Sequence, residues 1–390
     1  MSCDVETFHN FFWLNKFLMQ ACGILPISSR YILLNYFTKI MPFVTSTFLV
    51  LPIICAMCAR WEAFNIEAKT NIIIGFVEVY VVGGLKVFVL LLKCSKISEL
   101  IKTISEIWTT IDDEVYKEIA FYATQALYFT YGFTSMVTLT LISVFLTPLQ
   151  MEFKFDENGT MIQSKDLPYT AGIFHNDLRI YKIWYGLQIP AGFLSITHII
   201  APDVVFIFIV LHGCVYAKLC QIQFDKAANH FKKPQSLKIN VRKTMIKCII
   251  YNQKFLEHYH ATENVFHFHM LIQMISSLAL ICCYSISVLY IKGEEVKNLM
   301  HLTGAVIELW MHCWPSHSLW EKATALSDAA YALDWYNWSW YDQKLILFIM
   351  TRSQLSRKFT AANFAAITME TFISILSTAM SFFTVLRQMI

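Results

Sequence analysis

The stretch Ile119–Met151 reads IAFYATQALYFTYGFTSMVTLTLISVFLTPLQM, and none of its residues is charged. A bilayer core about 30 Å thick takes about 20 apolar residues as a helix, because every backbone N–H and C=O must be satisfied inside the segment. This run is longer than that, so it predicts a membrane helix that tilts or projects beyond the hydrocarbon. Similar windows recur on both sides of it. The expected spans are 40–59, 70–92, 124–148, 183–205, 268–291, 298–318 and 364–387. The first has Pro42 and Pro52 near its ends, and the second is interrupted by Glu78 and Lys86. The fourth contains Pro190, Pro202 and Asp203, which reads as a bent helix; Glu308 and Glu370 fall in the last two.

Bulk composition agrees. The chain has 390 residues, 56% hydrophobic and only 15% charged, with a mean hydropathy of +0.49. Soluble domains carry roughly a quarter charged residues. The expected fold is therefore all-α and integral to the membrane, one domain over residues 1–390 with seven transmembrane helices. A net charge of +3 leaves no footprint for nucleic acid. Of the 11 cysteines, Cys55, Cys58, Cys214, Cys282, Cys283 and Cys313 lie in apolar runs, where a thiol acts as a small hydrophobe. Asp4 and Glu6 precede a broken, aromatic stretch, so no cleavable leader is expected.

Seven spans put the termini on opposite sides. With the amino terminus inside, cytoplasmic segments hold more than twice the Lys and Arg of the outer ones. Positive charge accumulates on the cytoplasmic side, so the expectation is a cytoplasmic N-terminus and an extracellular C-terminus. The sequon Asn158-Gly159-Thr160 then lies in a cysteine-free outer loop, making Asn158 a glycosylation candidate. Asn337-Trp338-Ser339 also matches but would face the cytosol. Segments 206–262 and 321–358 have helical apolar spacing, the latter through Leu345, Ile346, Phe348 and Ile349, and are expected to build a cytosolic base.

Loops this short hold no soluble enzyme domain. The chain shows no nucleophile–base pairing, zinc signature or phosphate loop, so neither an enzyme nor a cofactor is expected. Histidines 258, 260, 267 and 269 cluster, and His260, Glu263 and His267 share a helix face, but no fourth ligand has suitable spacing; no metal is expected. Glu78, Lys86, Glu308 and Glu370 are costly in hydrocarbon and should face the bundle interior or water. Glu78 and Lys86, two turns apart, are expected to ease each other through water or to snorkel to opposite boundaries, and Asp203 to sit near the cytoplasmic boundary, capping or pairing with a neighbouring helix.

The C-terminal third carries a resemblance. Ser327, Ala330-Tyr331, Trp335-Tyr336, Arg352-Ser353-Gln354, Thr371-Phe372 and Ser381–Met389 resemble the insect odorant receptor signature in order and spacing. Leu167-Pro168-Tyr169, Tyr181 through Gln188, Asp203, Phe206, His212 and Lys247-Cys248 through Phe266 are similar to its middle section. Departures occur at Leu355, at Ala362-Asn363 where a glycine turn is usual, and at Met380 in place of a frequent tyrosine. The loop between spans four and five is shorter than in the shared co-receptor, so the chain resembles a ligand-tuning subunit.

The resemblance implies a multi-pass plasma-membrane protein of the olfactory neuron dendrite, a tetrameric cation channel assembled with the co-receptor and opened by a small hydrophobic volatile. It implies a pore along the seventh span, where Ile373, Ser377, Met380, Thr384 and Gln388 recur at helical spacing, with Met380 as gate. From periodicity alone the same stripe also reads as a helix-packing seam. The ligand is expected among Phe76, Tyr80, Met136, Thr140, Phe193, Thr197 and Trp310, in the outer halves of their helices. The nearest rival is a gustatory receptor channel. A G-protein-coupled receptor is disfavoured by orientation, and a transporter by the lack of paired half-repeats.

Overall fold

The computed structural model describes residues 5–28, 30–60, 62, 66–111, 113–150, 154–155, 161–163, 167, 178–231, 238–291, 295–354 and 358–389. Asn158 and Leu355 lie outside the described residues.

Helices account for nearly all of it. In chain order they are α1 Val5–Ala21, α2 Ile32–Arg60, α3 Ile66–Phe76, a π-helical stretch Val77–Leu85, α4 Lys86–Leu91, α5 Cys94–Trp108, α6 Asp113–Gln150, α7 Leu178–Phe231, α8 Lys238–Tyr290, α9 Glu295–Tyr331, α10 Trp340–Gln354 and α11 Met369–Met389. Two antiparallel pairs depart from an all-helical expectation: β1 Lys154–Phe155 with β2 Met161–Gln163, and β3 Thr360–Ala361 with β4 Ala365–Ala366.

The centre is α7. Every residue from Ile200 to Ala217 is buried. A helix apolar all round must be packed all round, and α6, α8 and α9 enclose this one. Phe206 stacks on His312 of α9 with ring centroids 5.4 Å apart and meets Phe266 of α8 edge-on at 5.3 Å. With 54 residues α7 is about 80 Å long, far more than a bilayer core requires. The surplus, with the equally long α8, continues past the membrane segment, where the Asn252 amide donates to Ser353 Oγ of α10 at 3.1 Å. In α5, Ile97, Leu100, Ile101, Ile104 and Trp108 are buried at helical spacing. That stripe seats α5 on α7 and α8.

Among the described residues, six helices are long and apolar enough to cross a membrane: Ile32–Cys55, Lys69–Leu91, Glu114–Leu146, Arg179–Asn229, Arg242–Tyr290 and Met369–Gln388. The expected window 298–318 lies within α9, which is long but carries His301, Glu308, His312 and His317 among its apolar residues and falls below that level.

The seventh expected window requires a correction at its start. Residues 364–368 are not helical; β3 and β4 make a small hairpin there, and α11 begins at Met369. The hairpin is held to α8, because the Glu263 carboxylate accepts from the Thr360 backbone N–H at 3.1 Å and His267 C=O accepts from Ala362 N–H at 3.0 Å. Its turn places Ala362 at φ 48° and Asn363 at φ 65°. Asn tolerates the left-handed region, but Ala has a Cβ that crowds the following carbonyl. Ala362→Gly should therefore raise stability by about 0.5–1 kcal/mol, read as a higher melting temperature of detergent-solubilised protein. A lower melting temperature would show that the turn carries no strain.

Candidate functional site

Between the π-helical stretch, α6, α7, α8 and α9 lies a cavity of about 100 Å³. Its walls are Val79 and Val82 of the π stretch, Phe133, Met136, Val137, Leu141 and Val144 of α6, Ile196 and Ile199 of α7, Leu280 of α8, and Ala305 of α9. Gly192 and Gly304 leave space that side chains would fill. Polar groups are few: Glu78, Thr140, Ser195, His301 and Glu308. A mainly apolar wall with a handful of polar atoms suits a small, mostly apolar ligand. In the π stretch the Lys86 N–H bonds back to Val81 C=O, five residues earlier. That wider turn interrupts the regular α face where the cavity opens, a place where such bulges recur in functional sites.

The two ends of the cavity are charged. His301 and Glu308 lie two turns apart on α9, about 10 Å along its axis. At the first end, Glu78 accepts a hydrogen bond from the Tyr284 hydroxyl and has His301 Nδ1 3.5 Å away. At the second, Glu308 Oε1 accepts from Lys86 Nζ at 2.8 Å. The same ammonium donates to Asp203 Oδ1 at 3.0 Å and Oδ2 at 3.2 Å, and both Lys86 and Asp203 have no exposed side-chain surface. His269 and His312 each bring Nε2 to 3.3 Å from Asp203 Oδ1. Lys86 thus pairs with two carboxylates on other helices and not with Glu78, which corrects the expected easing along one helix. Asp203 is at the heart of the bundle, surrounded by protein.

Asp203, His269 and His312 bring one ligand atom each within 4.8 Å of one another. That is a three-membered donor set. The Lys86 ammonium already lies against both Asp203 oxygens, and a cation there would have to displace it. The arrangement is a charge network. Elsewhere in the histidine cluster, His258 Nε2 meets the Ile209 carbonyl at 2.9 Å, and Glu263 is committed to Thr360.

Of the residues expected to meet ligand, Met136 and Thr140 line the cavity. Phe76 stacks on Tyr80 with centroids 5.4 Å apart, and Tyr80 is exposed. Phe193 is exposed and stacks on Phe145; the Thr197 hydroxyl bonds back to Leu194 C=O. Trp310 packs between Phe129 and Trp314. On α11, Ile373, Ser377, Met380, Thr384 and Gln388 are all exposed; the opposite face, with Phe372, Ile375, Leu376 and Ala379, packs on the rest of the chain. Glu370, also exposed, has its carboxylate 4.0 Å from Lys358. Sequence reasoning did not find Ser195, Ile196 and Gly304 as cavity residues. Only their helical phase relative to neighbouring spans points there, and a single sequence does not carry that phase.

The 7tm Odorant receptor family model matches residues 66–380. The chain is 21% identical over 333 residues to Odorant receptor 67a of Drosophila melanogaster, covering 82% of this chain and 81% of that one. To Odorant receptor 85b of the same species it is 24% identical over 338 residues, with 83% of each covered. A solved structure of the insect olfactory receptor OR5 from Machilis hrabei in complex with eugenol has a TM-score of 0.72 at 14% identity, over 98% of this chain and 100% of that one. That likeness shows a shared fold.

Removing Lys86 would strand two carboxylates in a water-poor interior. Lys86→Met should cost about 3–5 kcal/mol, seen as a lower melting temperature and reduced surface yield. The double variant Lys86→Met with Asp203→Leu should recover part of that loss, because one uncompensated charge leaves with its partner. Unchanged melting in the single variant would mean that the ammonium does not hold the bundle.

Proposed function

The chain belongs to the insect odorant receptor family, and on that premise we propose that it binds a small hydrophobic volatile in the cavity beside α9 and gates a cation pore lined by α11. The family is one of receptors and not of enzymes, and its members are multi-pass plasma-membrane proteins. The observation that carries the proposal is the pairing of an apolar, sparsely polar cavity inside the bundle with a membrane-length helix that its own chain leaves bare.

In this reading the chain crosses the membrane seven times, with α9 supplying the span that composition alone does not mark, the N-terminus inside, and Asn158 outside. The C-terminus is extracellular. Met136 and Thr140 touch the ligand, while Phe76, Tyr80, Phe193, Thr197 and Trp310 sit on the same helical runs around it. The bare face of α11 is covered in an assembly by the odorant receptor co-receptor, in a tetramer whose cytosolic contacts involve 206–262 and 321–358. Ile373, Ser377, Met380, Thr384 and Gln388 then face the ion path. Apolar side chains close such a path by dewetting, and hydroxyls and amides hydrate it.

Expressing the chain with and without the insect co-receptor, and recording whole-cell current against a volatile panel without added G protein, tests the reading. A fast inward cation current only with the co-receptor is expected; a slow current that needs G proteins would overturn it. A Cβ at Gly304 would sit 3.7 Å from Met136 Cε, so a longer side chain must enter the cavity. Gly304→Leu should therefore weaken the response to every active volatile at least about tenfold at unchanged surface expression. Met380→Asn should raise the unliganded current, because a polar ring no longer dewets. A silent baseline would remove Met380 as gate.

A further inference from the structure

The two carboxylates of the cavity are not equivalent. Glu78 is occupied by Tyr284 and His301. Glu308 gives one oxygen, Oε1, to Lys86, and among the described residues no donor meets its Oε2. Its side chain keeps 12% of its surface while the residue lines the cavity. On the α7 wall, Ser195 is 4% exposed, and its hydroxyl has no hydrogen-bond partner among the described residues. The Ser195 hydroxyl is a buried polar atom, and such atoms are nearly always satisfied, so with the Glu308 carboxylate opening on the same cavity it points to a ligand that meets both.

We propose that the cavity selects small ligands that donate a hydrogen bond (alcohols, phenols or amines), with Glu308 Oε2 as the acceptor and the Ser195 hydroxyl as a second polar partner. This rests on the reading of the cavity as the volatile's site. The Lys86 ammonium donating to Oε1 favours the ionised carboxylate, and an ionised carboxylate can only accept. Around it stand Phe133, Met136, Val137, Leu141, Ile196 and Leu280. In such surroundings a hydrogen bond to a charged acceptor is strong, and a polar group left unmatched is costly. An ether or aldehyde, which only accepts, turns its lone pairs toward the carboxylate and leaves Oε2 unsatisfied. Size narrows the class further. An engineered cavity of roughly 150 Å³ encloses benzene, so a space of about 100 Å³ favours nothing larger than a single ring or a short chain.

The test is equilibrium binding to the full-length protein in lipid nanodiscs, by ligand-observed NMR, with probes of one skeleton: benzyl alcohol, benzylamine, anisole, benzaldehyde and toluene. Benzyl alcohol, benzylamine or both should bind at least about tenfold more tightly than anisole, benzaldehyde and toluene. Equal affinities across the set, or no binding by either donor, would overturn the ligand class. Glu308→Gln, whose amide both donates and accepts, should narrow the gap by improving anisole and benzaldehyde. Should that variant fail to fold, Ser195→Ala serves: it removes a hydroxyl with no partner, so folding is spared, and it should weaken the donors several-fold while leaving toluene unchanged. Gly304→Leu separates the two readings. If it abolishes all binding while the wild-type protein fails to discriminate, the cavity is the site and the donor preference is wrong. If donors bind equally well to Gly304→Leu, they bind elsewhere, and both readings fall.

Discussion

The ammonium of Lys86, held between Asp203 and Glu308, is the contact on which the rest of this bundle depends. The Lys86 and Asp203 side chains have no exposed surface, and taking an ion out of water costs several kcal/mol even after the protein relaxes. Only close pairing makes them tolerable. The pairing joins the start of α4, the middle of α7 and the middle of α9, and His269 adds α8 through Asp203. Four helical runs are therefore held in one rotation and one height. Apolar packing alone would not do this, since an apolar helix can slide or turn against apolar neighbours at little cost.

That restraint explains how a cavity persists in the middle of a packed bundle. An empty space lined by apolar side chains loses contacts on every wall and tends to collapse. Here Glu308 is a member of both the cavity wall and the ion network, and Glu78 at the other end is fixed by Tyr284 and His301. The two ends are thus pinned by polar contacts, and the π-helical stretch between Glu78 and Lys86 lets one chain segment serve both. Regular α-helix over the same residues would rotate Glu78 or Lys86 out of its partner's reach.

The all-helical, multi-pass character and the family were legible in the sequence. Long uncharged runs such as Ile119–Met151 have few other physical explanations, and Ser381–Met389 with Arg352-Ser353-Gln354 carries the family's order and spacing. The ion network was not legible. Lys86 is 117 residues from Asp203 and 222 from Glu308, and nothing in one sequence says which distant charges meet. Local reasoning coupled Lys86 to Glu78 because they are near in the chain, whereas tertiary packing turned them to different helices. The same limit applies to the cavity. Met136 and Thr140 lie on it, but Tyr80 and Phe193, one residue from lining positions Val79 and Gly192, are turned outward. One residue along a helix is about 100° of rotation, and composition does not set that angle. The start of α11 differs for another reason: residues 364–367 are apolar and 368 is uncharged, so they read as helix, yet Ala365 and Ala366 pair with β3 in the hairpin against α8.

The position of that hairpin ties the bare helix to the buried charges. On α8, Glu263 and His267 hold β3 and the turn before α11, while His269 faces Asp203. These contacts lie within two turns of one helix. A helix segment this short is stiff, so a shift of α8 at His269 moves Thr360 and Ala362 with it. α11 rests on α8 and, less extensively, on α9, and its entry point follows α8. The cavity, the ion network and α11 are consequently joined in series: Glu308 to Lys86, Lys86 to Asp203 and Asp203 to His269 by contact, then along α8 to Glu263, which holds Thr360. A bundle with α11 packed in its core would gain buried area, but it would lose the candidate span that, among the described residues, its own chain buries least.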